Sequence, residues 1–306
     1  MYPSADPRTC RWMPVTDGHE LCVRQFGSPG GIAVLVLHGG PGSGFSPLLA
    51  RFFDPARYRV IAVDQRGAGL SRPAGDVQHN TVADLLADLR RVRHSLNIHR
   101  WLVVGGSWGA TLALLHAIDD PQAVTGLLLR NVFLARDEDV AAFLGDTLPP
   151  VDELAEVFEN GGHAAQQALA LRWWQHEQSR SGSMPGQPPE IAALVQRYRI
   201  QSHYLRNRFG LHETPLLERC RALRKVPTLL LHGSEDKVCP LQGAELLQQH
   251  VPHAQLRRVP GAGHDPAHPA MAAAMVQALD AYAAGGNSFS SERNVKNNEV
   301  AGQQFA

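Results

Sequence analysis

Features that would indicate a membrane, an extracellular compartment or a nucleic-acid partner are scarce in this chain of 306 residues. Its four cysteines are scattered without a C-x-x-C pair, which favours reduced thiols and a cytoplasmic protein. The 29 Lys and Arg residues balance 29 Asp and Glu residues, so no charge surplus indicates nucleic acid or an anionic membrane. No apolar run approaches the roughly 20 residues that cross a bilayer, and the first residues lack the apolar core of a secretory signal.

Metal-binding patterns are missing as well, although the chain has 15 histidines. No H-E-x-x-H motif occurs, and Pro266 between His264 and His268 disfavours a helical pair of ligands. We therefore expect no metal and no cofactor. What the chain does have is 44% hydrophobic and 19% charged residues, which is typical of a globular protein with a sizeable core.

Strand-like and helix-like segments alternate along most of the chain, a pattern that indicates an α/β fold with a mostly parallel sheet covered on both faces. Strands are predicted at 21–26, 32–37, 58–63, 101–104, 124–129, 226–231 and 255–259, and helices at 81–96, 110–118, 241–250 and 271–282.

One long segment departs from this alternation. Residues 136–215 read as helical pieces without strands, so we expect them to form an inserted helical cap on a core made of 1–135 and 216–284. The tail at 285–306 is rich in Asn, Ser and Gln, has little apolar content, and is predicted to be disordered.

The most informative motif is G-G-S-W-G at 105–109, between a predicted strand and a predicted helix. In that context G-x-S-x-G predicts a nucleophile elbow, in which a sharp strand-to-helix turn holds the Ser107 hydroxyl at the end of the sheet. The glycines are needed because side chains beside such a turn would clash. A serine placed in this way is suited to acyl transfer.

A nucleophilic serine needs a base, and the base needs an acid that orients it. Asp236 and His264 each follow a later predicted strand, in the chain order that this elbow leads us to expect. Glu235 is the alternative acid, and His268 and His253 are the alternative bases.

The glycine-rich loop H-G-G-P-G at 38–42 directly follows the strand predicted at 32–37 and suits an oxyanion hole. Pro41 has no N–H and cannot donate. We therefore predict the backbone N–H groups of Gly40 and Trp108 as the two donors.

Taken together, these motifs resemble the proline iminopeptidase family of α/β-hydrolases. The similar blocks are H-G-G-P-G at 38–42, D-Q-R-G-A-G-L-S at 64–71, G-G-S-W-G at 105–109, H-G-S-E-D at 232–236 and G-A-G-H at 261–264. The resemblance implies an α/β-hydrolase fold with a cap, and an enzyme that removes an N-terminal proline from small peptides, prolyl amides and arylamides through an acyl-enzyme.

The resemblance also extends to the cap, where that family binds the substrate's ammonium group with acidic residues. W-W-Q-H-E at 173–177 is similar to the family's W-x-x-W-E block, which implies an ammonium-binding role for Glu177. I-Q-S-H-Y at 200–204 is similar to I-E-N-H-Y, with Gln201 in place of the second glutamate. Phe133 and Tyr204 are candidate walls of the pocket around a pyrrolidine ring.

Two other functions stay open at this point. Because an amide at position 201 offers a weaker field than a carboxylate, the protein could be a broader amino-acid amidase or carboxylesterase of the same fold. A hydrolase-fold binding protein is the second alternative, which the predicted triad and oxyanion loop disfavour.

Overall fold

A computed structural model of the chain describes residues 1–182, 186–286 and 288–289. Its sheet has eight strands in the order β1-β2-β4-β3-β5-β6-β7-β8. The strands are β1 (Thr9–Pro14), β2 (Glu20–Gly27), β3 (Ile32–Leu37), β4 (Tyr58–Val63), β5 (Trp101–Ser107), β6 (Val124–Val132), β7 (Thr228–Gly233) and β8 (Ala254–Val259). Only the pairs β1–β2 and β2–β4 are antiparallel, so six neighbouring strands end at one edge of the sheet.

Helices cover the sheet on both faces and also form a separate group. They are α1 (Val82–Ser95), α2 (Trp108–Asp119), α3 (Asp137–Leu144), α4 (Val151–Asn160), α5 (His163–Ser181), α6 (Ile191–Arg206), α7 (Leu216–Arg219), α8 (Leu241–His250) and α9 (Pro269–Ala284). The helices α3 to α6 lie in the chain between β6 and the short α7, within the segment predicted as a cap. In the part of the chain that the structure describes, no helix has both the length and the apolarity that crossing a membrane requires.

The central strands are apolar throughout because both of their faces are buried. In β3, Leu35 and Leu37 belong to the core that includes residues of α1 and α2. The alternate residues Val34 and Val36 face a second core that includes residues of α9. Burial on both faces holds the central strands in place, and the loops that follow their carboxyl ends carry the candidate site.

The sequence predicts the central strands and helices well and the edge of the sheet less well. The antiparallel edge strand β1 was not predicted, because it mixes polar and apolar residues and four of its six residues are exposed. The strands β2 and β3 follow one another in the chain but do not pair, since β4 lies between them. Of the predicted tail, the structure describes 285–286 and 288–289, where Phe289 packs on Tyr282, and the rest lies outside the described residues.

Candidate active site

Ser107 lies at the sharp turn between β5 and α2, with φ 57° and ψ −127°. Both flanking glycines are required by close backbone contacts. A Cβ on Gly105 would lie 2.2 Å from the Gly109 carbonyl oxygen, and one on Gly109 would lie 2.2 Å from the Leu37 carbonyl oxygen. A strained serine between two residues that tolerate no side chain is the geometry of a nucleophile elbow.

The predicted acid and base meet at the carboxyl ends of β7 and β8. His264 Nδ1 lies 2.8 Å from Asp236 Oδ2. The other carboxylate oxygen, Oδ1, accepts hydrogen bonds from the backbone N–H groups of Val238 at 2.8 Å and Cys239 at 2.9 Å. Burial alone would raise the pKa of the Asp236 carboxyl, but the charge and hydrogen bond of His264 and the bond from Cys239 outweigh it and lower the pKa. Asp236 is therefore held ionised against the imidazole.

The alternative acid and bases occupy less suitable places. Glu235 is exposed, in contrast to the buried Asp236. His253 precedes the amino end of β8, at the edge of the sheet opposite to Ser107. His268 lies at the start of α9, and the imidazole that is hydrogen-bonded to Asp236 is that of His264. These placements favour the acid–base pair Asp236 and His264.

Ser107 and His264 line the same cavity, whose volume is about 190 Å³. Among the described residues, however, no hydrogen bond joins the Ser107 hydroxyl to the imidazole. Ser107 Oγ lies 3.9 Å from Cys239 Sγ, in a weak hydrogen bond. The structure thus brings the three predicted residues to one site, with the serine side chain turned toward the thiol.

Two residues at the end of β6 hold the loop that contains Gly263 and His264, and nothing in the sequence indicated this role. Arg130 Nη1 donates to the His264 carbonyl oxygen at 2.7 Å, and Asn131 Nδ2 donates to the Gly263 carbonyl oxygen at 3.0 Å. Asn131 Oδ1 in turn accepts from the Gly233 N–H at 3.0 Å. A single strand end thereby fixes the loops that follow β7 and β8.

The loop after β3 carries the first predicted oxyanion donor. Gly40 has φ +112°, and a Cβ there would lie 2.7 Å from the Gly42 nitrogen and 2.8 Å from the Ser43 nitrogen. Only glycine fits such a bend without strain. Gly40 and Ser107 line the same cavity. The N–H of Trp108, the second predicted donor, is the first of α2 and so has no acceptor within the helix.

Buried side chains hold these two donors in position. Gln65 donates to the His38 carbonyl oxygen at 3.0 Å, and its own side-chain oxygen accepts from Trp108 Nε1 at 2.9 Å. The Gln65 backbone N–H donates to His38 Nε2 at 3.0 Å, which leaves Nδ1 to donate to the Gly39 carbonyl oxygen at 2.8 Å. Burial lowers the pKa of His38, so its imidazole is neutral and acts as a bracing group.

Helices α5 and α6 bring polar side chains into the cavity from the segment predicted as a cap. Glu177 on α5 and Gln201 on α6 both line it, together with Arg197, which was not predicted. Glu177 Oε2 is bonded to Arg197 Nη2 and accepts from the Tyr198 hydroxyl at 3.1 Å. Gln201 Nε2 donates to Glu177 Oε1 at 3.4 Å. The predicted ammonium-binding residues are therefore at the site, and the carboxylate already faces a guanidinium.

A small apolar recess adjoins Ser107. Its apolar walls are Phe133, Phe143, Leu205, Phe209 and Cys239. Tyr204, the other predicted wall, does not line this recess or the larger cavity. It is buried behind them, where it donates to Asn80 at 2.9 Å and packs on Trp108 with ring centroids 5.2 Å apart.

Several site residues could not be found from the sequence. Phe143, Phe209 and Leu205 reach the recess from three different segments, and nothing in their local sequence distinguishes them from core residues. Arg197 occupies a helical position where a charge is ordinarily solvated. The one available signal was the charge pattern of α6, which places Arg197 one turn before Gln201, on the same face.

Comparisons with known proteins bear on the fold and the family of this chain. A family model described as alpha/beta hydrolase fold matches residues 32–268. The proline iminopeptidase of Xylella fastidiosa (strain 9a5c) is 36% identical over 311 residues, covering 92% of this chain and 99% of the relative. That of Arabidopsis thaliana is 34% identical over 306 residues, covering 91% of this chain and 80% of the plant protein.

A solved structure of proline iminopeptidase from Mycobacterium smegmatis has the same fold. Its TM-score is 0.66 at 23% identity, and the match covers 91% of this chain and all (100%) of the other. The curated relatives match this chain over almost its whole length, and the α/β-hydrolase fold predicted from the sequence is confirmed. This chain belongs to the proline iminopeptidase family of α/β-hydrolases.

Proposed function

We propose that this protein is a serine hydrolase that releases an N-terminal residue, preferably proline, from small peptides, prolyl amides and prolyl arylamides. The observation that carries the proposal is that His264, which is bonded to Asp236, lines the same cavity as Ser107. The names of the full-length relatives support proline as the preferred residue.

The chemistry follows from the positions of the three side chains. As substrate enters, the Ser107 hydroxyl turns from Cys239 to His264 Nε2, since catalytic hydrogen bonds often form only in the substrate complex. His264 accepts the hydroxyl proton while Ser107 Oγ bonds to the substrate carbonyl carbon. His264 then gives that proton to the leaving amine, and water hydrolyses the acyl-enzyme by the same path in reverse.

The Gly40 and Trp108 N–H groups stabilise the negative oxygen of the tetrahedral intermediate. Such donors are effective because they are already oriented before the reaction. Here the side chains of His38 and Gln65 fix that orientation, so the protein does not reorganise when charge develops. Removing one such donor typically costs about 100-fold in kcat.

The helices over the site explain cleavage at a chain end. Glu177, Arg197 and Gln201, on α5 and α6, line the cavity. A cavity of about 190 Å³ suits a single terminal residue better than the middle of a longer chain. The apolar recess beside Ser107 suits a ring without hydrogen-bond donors, such as that of proline.

A substrate panel tests this function directly. We expect prolyl-4-nitroanilide to be hydrolysed by the wild type and not by Ser107→Ala, and an internal prolyl bond in a longer peptide to be left intact. Thermal melting of both proteins controls for folding. Hydrolysis of the internal bond at a rate similar to that of the terminal one would overturn the assignment.

A second function, a broader amidase or carboxylesterase, is favoured by one specific observation. The guanidinium of Arg197 neutralises Glu177, which weakens selection for a cationic substrate. An acetyl or butyryl ester that is hydrolysed far faster than prolyl-4-nitroanilide, with rates insensitive to Glu177→Ala, would support this alternative.

A cytoplasmic setting is also part of the proposal. The four cysteines are free, and Cys10 Sγ lies 3.7 Å from Cys22 Sγ without a disulfide between them. Reduced thiols are typical of proteins in a reducing compartment. Cell fractionation that recovers the protein outside the cytoplasm would contradict this.

A further inference from the structure

The carboxylate that would bind a substrate ammonium group is already occupied. Glu177 Oε2 is bonded to Arg197 and also accepts from the Tyr198 hydroxyl. Both side chains of this ion pair are largely buried, since Glu177 is 13% and Arg197 26% exposed. A cation approaching Glu177 meets the like charge of Arg197 beside it, so the pair offers little net field.

A different acceptor in the same place has no hydrogen-bond partner within the described part of the chain. Gln201 is 2% exposed, and its side-chain nitrogen donates to Glu177 Oε1 at 3.4 Å and to the Gly40 carbonyl oxygen at 3.3 Å. These two oxygens fix the amide orientation, since the reverse orientation would put three acceptors together. Among the residues that the structure describes, the side-chain oxygen Oε1 is then left buried and without a hydrogen-bond partner.

A buried acceptor without a donor is costly, and it is satisfied when a ligand supplies one. Gln201 lines the main cavity and also the apolar recess next to Ser107. A donor on the carbon next to the substrate carbonyl would therefore lie close to Gln201 when that carbonyl is at Ser107.

Building on the function proposed above, we propose that Gln201 Oε1 reads one N–H or O–H donor on the substrate and that Arg197 cancels the charge of Glu177. The site then accepts amides and esters of 2-hydroxy acids as well as those of amino acids. Arg197 is the specificity-determining residue, because it sets how much the substrate's charge contributes to recognition.

Three acyl groups of nearly equal size separate charge from hydrogen bonding. Alanyl-, lactyl- and propionyl-4-nitroanilide carry an ammonium group, a hydroxyl group and a hydrogen at the same carbon. The comparison belongs near pH 7, below the ordinary α-amino pKa of about 8. We expect kcat/KM for lactyl to be within about tenfold of alanyl, and both to exceed propionyl by about tenfold. A lactyl substrate no better than propionyl would overturn the inference.

Variants of one helix then test the role of Arg197. Arg197→Met should raise the ratio of kcat/KM for alanyl to that for lactyl by about tenfold, because the charge of Glu177 is then no longer offset by a guanidinium. Arg199→Met is the matched control: Arg199 lies on the same helix, bonds to Gln166 at 3.1 Å, does not line the cavity, and should leave the ratio unchanged.

A second variant guards against misfolding of the first. Gln201→Glu adds a second carboxylate, while Arg197 is already paired with Glu177. This variant should likewise raise kcat/KM for alanyl relative to lactyl. An unchanged ratio in the folded Arg197 and Gln201 variants would overturn the inference. If the wild type hydrolyses 4-nitrophenyl esters of these acids but no 4-nitroanilide, the proposed peptidase function is wrong, and the three esters decide the inference in the same way.

Discussion

Replacing Asp236 with asparagine should remove nearly all activity while leaving the fold intact. Asp236 Oδ1 accepts from the backbone N–H groups of Val238 and Cys239, so the carbonyl oxygen of an asparagine must take that place. The amide nitrogen then faces His264 Nδ1, where the carboxylate oxygen lay at 2.8 Å. Two donors cannot face each other, so His264 must present Nδ1 as an acceptor and carry its proton on Nε2.

An imidazole protonated on Nε2 cannot accept the proton of Ser107. A triad with its histidine in the wrong tautomer loses about 10⁴-fold in kcat, which is about 5 kcal/mol of barrier. The assay is the rate of prolyl-4-nitroanilide hydrolysis, with thermal melting to show that the variant is folded. Glu235→Gln is the matched control, because it removes the same charge from the exposed neighbouring residue and should keep full activity.

The reasoning would be refuted by an Asp236→Asn protein whose kcat lies within tenfold of the wild type. A large loss in Glu235→Gln with none in Asp236→Asn would assign the acid to Glu235.

Three further predictions concern packing, pH and thiol chemistry. Gly109→Ala should destabilise the protein by about 3 kcal/mol or more in urea unfolding, because its Cβ meets the Leu37 backbone at 2.2 Å. Gly243→Ala on α8, where the nearest contact is at 3.7 Å, should instead stabilise the protein by about 0.5–1 kcal/mol. Equal effects of the two substitutions would contradict this. Burial lowers the pKa of His116 to about 4, so at mildly acidic pH the unfolded chain takes up a proton that the folded chain does not. About 3 kcal/mol of the free energy of unfolding is therefore lost as the pH falls from about 6.5 to 4. A loss of the same size in His116→Asn would refute this attribution. Burial raises the pKa of the Cys239 thiol well above its usual value, so thiol reagents should inactivate the enzyme slowly at pH 7. Loss of activity should run in step with modification of Cys239, and Cys239→Ser should resist inactivation. Equal inactivation of that variant would exclude this thiol.

The central sheet and the places of the three candidate triad residues relative to its strands could be predicted from the sequence, because local patterns determine them. An apolar strand followed by G-x-S-x-G specifies the elbow at Ser107 without reference to the rest of the chain. The residues Asp236 and His264 lie in loops that follow strands, and parallel strands bring their carboxyl ends to one edge. The central strand predicted at 32–37 matches β3 for the same reason, since strands buried on both faces read as continuous apolar runs.

The remaining features depend on contacts between distant segments, which no local pattern encodes. The ion pair of Glu177 with Arg197 joins α5 to α6, and each residue alone reads as a solvated helix position. Tyr204 was expected at the pocket but packs on Trp108, because a family block gives the chain position and not the direction of a side chain. The edge strand β1 was missed because four of its six residues are exposed and it has no continuous apolar run.

The central claim is that His264 activates Ser107 as a nucleophile. The most direct measurement is the rate and site of labelling by a fluorophosphonate, located by mass spectrometry, in the wild type and in folded His264→Ala. We expect rapid labelling of Ser107 in the wild type and a loss of about 10³-fold or more in the variant. A folded wild type that leaves Ser107 unlabelled, or a variant labelled at the same rate, would contradict the account.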